Sequence, residues 1–361
     1  MDVMEPSAFY PYSDNYSDVW EYLRSTRWNP PGAADSASER RRTYAFALEQ
    51  AEQMLRAAVT VGPATRPLLI FYGLNQAGRA IAASATSFGS NDWRLQGHGI
   101  HVAPDSLSGD LSAIQVYPDK SGSKGSFVRL SEVFGSPVWE KSLGVTLSTL
   151  WDCVPKNRLT PIGVDDRSRR TPLYVADYHV SDDDDPHPLV SVPVAYFPPW
   201  VIDASDGHRA MVEYLNEFPD AQGYDSYHRK TLPPNALPEF VRHADGWGEL
   251  TMNWSVMGGA MATAAEGRLY LKERTRQHAG NEYFFPTIGS GGRGIHPLMA
   301  WWAVLFVLSM LARYQPSEWS EHIDVNHSRH AAPIEGLLKD ALESLPYLIA
   351  EAIDQVSGQS D

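Results

Sequence analysis

Three side chains in this sequence have the types and order for phosphate chemistry. Arg79 lies on an apolar helical stretch, and His98 and His101 follow after a loop. An arginine and a histidine facing each other across helices bind a phosphate and supply a general acid or base, as metal-independent RNA cleavage requires. The structural alternative is that Arg79 pairs with a buried carboxylate or caps carbonyls, and that His98 only occupies a glycine-flanked turn.

A second constellation is Gly289-x-Gly291-x-x-Gly294, after the strand-like Tyr283 to Ile288 and ahead of a helix. That is the context of a dinucleotide fingerprint. Helix upon helix follows, with no second parallel strand and no acidic residue at a strand end, so the βαβ unit is missing and a dinucleotide site is rejected. A weaker expectation survives, in which Gly291, Gly292 and Arg293 bind an anion through backbone N–H groups near a helix N-terminus. A loop ahead of a proline-started helix explains the same residues without a ligand.

Asp324, His327 and His330 recur every three residues, a spacing for oxygen and nitrogen ligands on one metal. The polar surroundings and Pro333 favour a solvated loop instead. The aspartates from Asp182 to Asp185 lack the spaced ligands and central glycine of a calcium loop. Cys153 has no basic neighbour nearer than Lys156, which argues against a thiolate nucleophile. No His-Glu-x-x-His, Cys-x-x-Cys or Gly-x-Ser-x-Gly occurs, so no metal site and no cofactor are expected.

The elements that must position these residues begin with an amphipathic Tyr16 to Arg24 and a helix over Glu39 to Val59, with Ser38 as its N-cap. Pro67 opens a second, almost wholly apolar helix over Leu68 to Ser84. Ser112 to Pro118 and Ser126 to Leu130 read as a hairpin, Thr146 to Val154 as a short helix, and Leu189 to Tyr196 as a strand. Asp206 to Phe218 predicts a helix, Tyr224 to Ala236 a turn-rich stretch, and Glu249 to Trp254 and Gly267 to Lys272 further strands. The chain is helical again over Leu298 to Tyr314, Ser317 to Ile323 and Pro333 to Val356. The expected class is α+β: a helical segment over 1–104, a mixed middle over 105–285, and a helical segment over 286–361 packing on the first around one shared core.

Three segments carry a family resemblance: Pro67-Leu-Leu-Ile-Phe-Tyr-Gly73 with Arg79-Ala80, then Leu95-Gln-Gly-His-Gly99, then Leu305 to Trp319. Together they resemble the YaaC-like family of bacterial proteins, most specifically at Arg313-Tyr314-x-Pro316-x-x-Trp319. Tyr72, Gly73, Arg313, Tyr314, Pro316 and Trp319 are the residues this likeness marks. A structural account suffices for the last four: Arg313 offsets a helix dipole, Pro316 restarts a helix, and Trp319 packs back on the first. The resemblance implies architecture rather than activity. Phe71 to Ala80 is also similar to the aromatic and basic helix of the HEPN superfamily, whose members often dimerise and sometimes cleave RNA. HEPN nucleases carry four to six residues between Arg and His, whereas Arg94 and His98 have three residues between them.

The bulk composition narrows the classes. The 361 residues include one cysteine, so an intramolecular disulfide is excluded and a reducing, cytoplasmic setting is expected. A net charge of −14 repels phosphate backbones unless a local basic patch overrides it, so nonspecific DNA binding is not expected. Met1 to Tyr12 carries no secretory pattern, and the apolar Leu298 to Ala312 falls short of a spanning helix and reads as a buried one. With no complete catalytic set, the sequence favours a noncatalytic scaffold or protein-binding module, engaging a protein partner or forming a homo-oligomer. An RNA- or nucleotide-directed enzyme of HEPN-like ancestry is the alternative.

Overall fold

The computed structural model describes residues 16–89, 91–176, 179–180, 189–224, 238–255 and 264–358. The aspartates Asp182 to Asp185, and the turn-rich stretch after Tyr224, lie outside them. The helices are α1 (Tyr16–Trp28), α2 (Ser38–Thr60), α3 (Arg66–Ser84), α4 (Ser126–Val133), α5 (Leu147–Asp152), α6 (Pro199–Ile202), α7 (Gly207–Leu215), α8 (Ala264–Lys272), α9 (Pro297–Tyr314), α10 (Pro316–His322) and α11 (Ala331–Ser357). The strands are β1 (Ile100–Val102), β2 (Gln115–Pro118), β3 (Val145–Thr146), β4 (Leu173–Val175), β5 (His179–Val180), β6 (Leu189–Phe197), β7 (Val241–Arg242), β8 (Gly248–Ser255), β9 (Arg276–His278) and β10 (Asn281–Phe284). The class is α+β and helix-dominated.

Two apolar clusters organise these elements. In the larger, α2 buries Tyr44, Leu48, Ala51, Leu55 and Ala58, a three-and-four spacing that makes one stripe against α3. Helix α9 is apolar all round and is buried from Pro297 to Ser309 and again at Leu311, so it is the centre of this cluster. It is the one helix among the described residues long and apolar enough to cross a membrane, and it lies inside the protein. Helices α3, α4, α5, α10 and α11 pack on it, and α1 lies on α2 and α11. Residues 107–162, with β2 and β3 among them, join this helical cluster.

The smaller cluster packs α7 and Leu271 of α8 against a seven-stranded antiparallel sheet ordered β7-β8-β6-β4-β10-β9, with β5 on β6. Val190, Val192 and Val194 of β6 point into it with period two. A bulge between Ala195 and Phe197 sets Tyr196 at φ 80°, and its ring covers the Arg158 guanidinium at 4.1 Å. A second, three-stranded sheet, β1-β2-β3, lies on the helical side.

Three local expectations need correction. Ser126 to Leu130 is helix α4, because Phe127 and Leu130 meet the core at helical spacing, and the hairpin partner of β2 is β1. Gly267 to Lys272 belongs to α8, whose preceding Ala264, Ala265 and Glu266 are good helix formers. Ser38 is the first residue of α2, and the cap position is Ala37, which offers no side-chain acceptor.

Candidate functional site

The Gly97-His98-Gly99 loop is built to present one ring. Both glycines have positive φ, +69° and +71°, and a Cβ on Gly99 would meet the Gly125 backbone at 2.8 Å. The loop carbonyls take up N–H groups at the start of α4: Ser126 donates to Gly97 at 3.2 Å and Phe127 to His98 at 2.9 Å. His98 is thereby anchored by its backbone while its imidazole rests on Phe71 of α3 and Phe306 of α9, at 5.5 and 5.7 Å between ring centres. Its Nδ1 is buried without a hydrogen-bond partner.

Two guanidinium groups act on this ring. Burial first, then the positive fields of Arg313 and Arg79, hold the His98 imidazole below its ordinary value, which keeps it neutral. Arg313, at the end of α9, donates to the Tyr72 hydroxyl on α3 at 2.5 Å and lies 5.0 Å from the Tyr314 ring centre. Tyr72, Gln76 and Arg79 follow one another at i, i+4 and i+7, so they line one face of α3 over about 10 Å. Arg79 is exposed and, among the described residues, meets no carboxylate.

The strip continues into a groove of about 430 Å³ between α2 and α3, lined by Arg42, Phe46, Gln50, Gln76 and Arg79 among others. Its acid, Glu39, is already paired with Arg94. Phe46 is 59% exposed there. Against a net charge of −14, Arg79 joins Arg42 in this groove and, with Arg313, acts on the neutral histidine.

The remaining candidates are dispersed. His101 points outward from β1, stacked on Tyr117 across the ladder and 3.9 Å from Asp119. Arg293 binds Asp220 at 2.5 Å, and the Gly294 N–H donates to the other oxygen of the same carboxylate at 2.8 Å. The glycine-rich loop thus receives an anion from within the chain. Gly291 is required by close approach, since a Cβ would meet Pro137 at 2.4 Å, whereas Gly292 is open.

Asp324 holds His327 at 2.9 Å, but His330 is buried and its ring turns toward His322 and Arg329. No group of three metal-ligating side chains occurs among the described residues. The Cys153 thiol donates to Thr149 O at 3.3 Å, and burial pushes its pKa far up. Trp319 is buried and donates to Pro63 O at 3.3 Å, tying α10 to the α2–α3 turn as well as to α9.

Sequence reasoning brought Arg79 and His98 together and assigned Arg313 and Tyr72 to structure alone. It missed Arg42 and Gln76. The available signal was the i, i+4, i+7 recurrence of polar residues on an otherwise apolar helix, which marks an exposed polar strip. In comparisons with known proteins, the family model described as YaaC-like Protein matches residues 12–353. No curated protein and no solved structure matches.

Proposed function

The chain belongs to the YaaC-like family, and from that premise we propose that it is an RNA- or nucleotide-directed protein whose phosphate site is the strip Arg42, Arg79, His98 and Arg313. The observation that carries this reading is a neutral histidine in the field of two arginines that meet no carboxylate among the described residues. Two cations without an internal counter-charge favour a bound anion, and a neutral imidazole is the protonation state a general base needs. In an RNA reaction His98 takes the proton of a ribose 2′-hydroxyl. The freed oxygen attacks the adjacent phosphorus, the bond to the 5′ oxygen breaks, and that oxygen takes a proton from water. Arg79 and Arg313 offset the charge that builds on the phosphoryl oxygens. The basic strip is local enough to override the acidic net charge at short range.

This reading reverses the preference drawn from sequence, where the lack of a complete catalytic motif put a noncatalytic scaffold first. The scaffold or homo-oligomer keeps one supporting observation, the side chain of Trp28 standing 88% exposed at the end of α1. A fluorescent ten-nucleotide RNA, titrated at low salt, separates the two. Saturable binding that weakens at least tenfold in Arg79→Ala and Arg313→Ala, with cleavage lost in His98→Ala, supports the enzyme. Absence of binding together with a stoichiometric protein partner in native mass spectrometry rejects it.

A further inference from the structure

A cavity of about 780 Å³ lies between α11, β9, β10 and the end of α4. None of Arg79, His98 and Arg313 lines it. Its rim carries the exposed Lys272, Glu273, Gln277 and Gln355, and its floor the buried Phe134, Arg276 and His296.

Almost every polar group in this wall is already satisfied. Arg276 donates to the carbonyls of Gly294, Phe134 and Gly135 at 3.1, 3.0 and 2.9 Å. His296 stacks on Phe134, its Nδ1 accepts from the Leu298 N–H, and its Nε2 donates to Gln355 Oε1 at 3.1 Å. Asp220 holds Arg293, Glu282 accepts from Thr275 at 3.0 Å, and Arg274 donates to the carbonyls of Asp220 and Gln222.

Glu351 is the exception. Its Oε1 accepts from the Gly280 N–H at 2.7 Å, while Oε2 is buried with no partner, and no cation pairs with the carboxyl among the described residues. Leaving a carboxylate there without a counter-charge is costly, and a group of that kind calls for an explanation. Lys272 at the rim makes no ion pair among the described residues either. The two unpaired groups have opposite signs and line one cavity.

We propose that this cavity binds a small zwitterion of amino-acid type, its cationic nitrogen received by Glu351 and its carboxylate directed toward Lys272. Glu351 lines the cavity with Oε2 closed off from solvent, and binding requires a turn about the soft terminal torsion that brings a carboxylate oxygen to the cavity face. The volume lies within the range of small-molecule sites, at a junction of two packed units where such sites concentrate.

Binding carries a proton signature. Burial, followed by weaker opposing bonds from the Gly280 and Ala279 N–H groups and the field of Asp354, pushes Glu351 up to about 7. At pH 7 the free carboxyl is therefore roughly half protonated, and a cation that selects the ionised form releases about half a proton.

The test is isothermal titration calorimetry of the full chain with L-arginine and L-lysine at pH 7, in buffers of different ionisation enthalpy. Agmatine, which lacks the carboxylate, is the control. Saturable binding of either amino acid with proton release is expected, and Glu351→Gln weakens it at least tenfold and abolishes the release. Lys272→Ala, a rim substitution, removes the preference for L-arginine over agmatine. No saturable heat with either amino acid, or equal affinity in Glu351→Gln, overturns the proposal.

Discussion

At the residue scale, His98 is defined by its surroundings more than by its own chemistry. Two phenyl rings desolvate it and two arginines repel a second positive charge, so its pKa is lowered. Replacing Arg313 with Gln removes one repulsion, and the His98 titration, followed by long-range ¹H–¹⁵N NMR, moves upward toward its ordinary value near 6.5. An unchanged titration would separate Arg313 from the site. A second residue-scale case is Arg169, which holds the buried Asp152 at 3.0 Å and also donates to the carbonyls of Asn157 and Arg158. Even so, burial outweighs the guanidinium and leaves Asp152 raised to about 6. Arg169→Ala strands that carboxylate and costs roughly 3–5 kcal/mol. The loss measured by urea unfolding is smaller at pH 5, where Asp152 takes up a proton, than at pH 8.

At the scale of elements, the contact between α3 and α9 depends on a missing side chain. A Cβ on Gly78 would lie 2.7 and 2.8 Å from two ring atoms of Trp302 and 3.0 Å from Leu130. Trp302 is fully buried, so it has no room to withdraw. Gly78→Ala therefore loses about 1–3 kcal/mol to overpacking, against about 1 kcal/mol gained in helix propensity. Gly336, exposed on α11 with no atom within 4 Å of its Cβ position, should show the opposite sign, stabilised by about 0.5–1 kcal/mol as Ala. Thermal melts of the two variants check both signs.

The same elements mark the limits of reading from sequence. The long helices α2, α3, α9 and α11 were legible because fifteen or more residues average out local noise and proline marks the starts of α3 and α9. Short segments were not. Phe127, Val128 and Leu130 are too short a run to separate strand from helix by pattern, and it takes the packing of Phe127 and Leu130 on the core and the bonds of α4 to the Gly97–His98 loop to decide. The pairing of Tyr72 with Arg313 spans 241 positions, and nothing local in the sequence announces it.

At the scale of the molecule, buried titratable groups collect where the helical cluster meets the sheet, and they oppose one another. His278 of β9 accepts from the Trp301 indole of α9 at 3.0 Å, and burial lowers it to about 3. His296 is lowered well below its ordinary value by burial and by Arg276. Unfolding lets both histidines protonate near pH 6.5, so their contribution is complete above that pH and is lost as pH falls toward 3. Glu351 and Asp152 have the reverse sign. Raised to about 7 and about 6, they favour the folded state at low pH, and their contribution is lost as pH rises from the ordinary carboxylate range through those values. Between about pH 4.5 and 6 these four groups give the folded chain two more carboxyl protons and two fewer imidazole protons than the unfolded chain, so their slopes cancel. Below about pH 4.5 the two acids progressively cease to offset these two histidines, which contribute about 1.4 kcal/mol per pH unit each. The expected contribution of these four groups to the unfolding free energy is a plateau from pH 5 to 8 with a steep fall below it. Glu351→Gln removes one of the compensating acids, so its stability should begin to fall near pH 6, relative to its own value at pH 8. Urea unfolding of both proteins across pH 4 to 8 measures this, and parallel curves would show that Glu351 holds no proton in the folded chain at neutral pH.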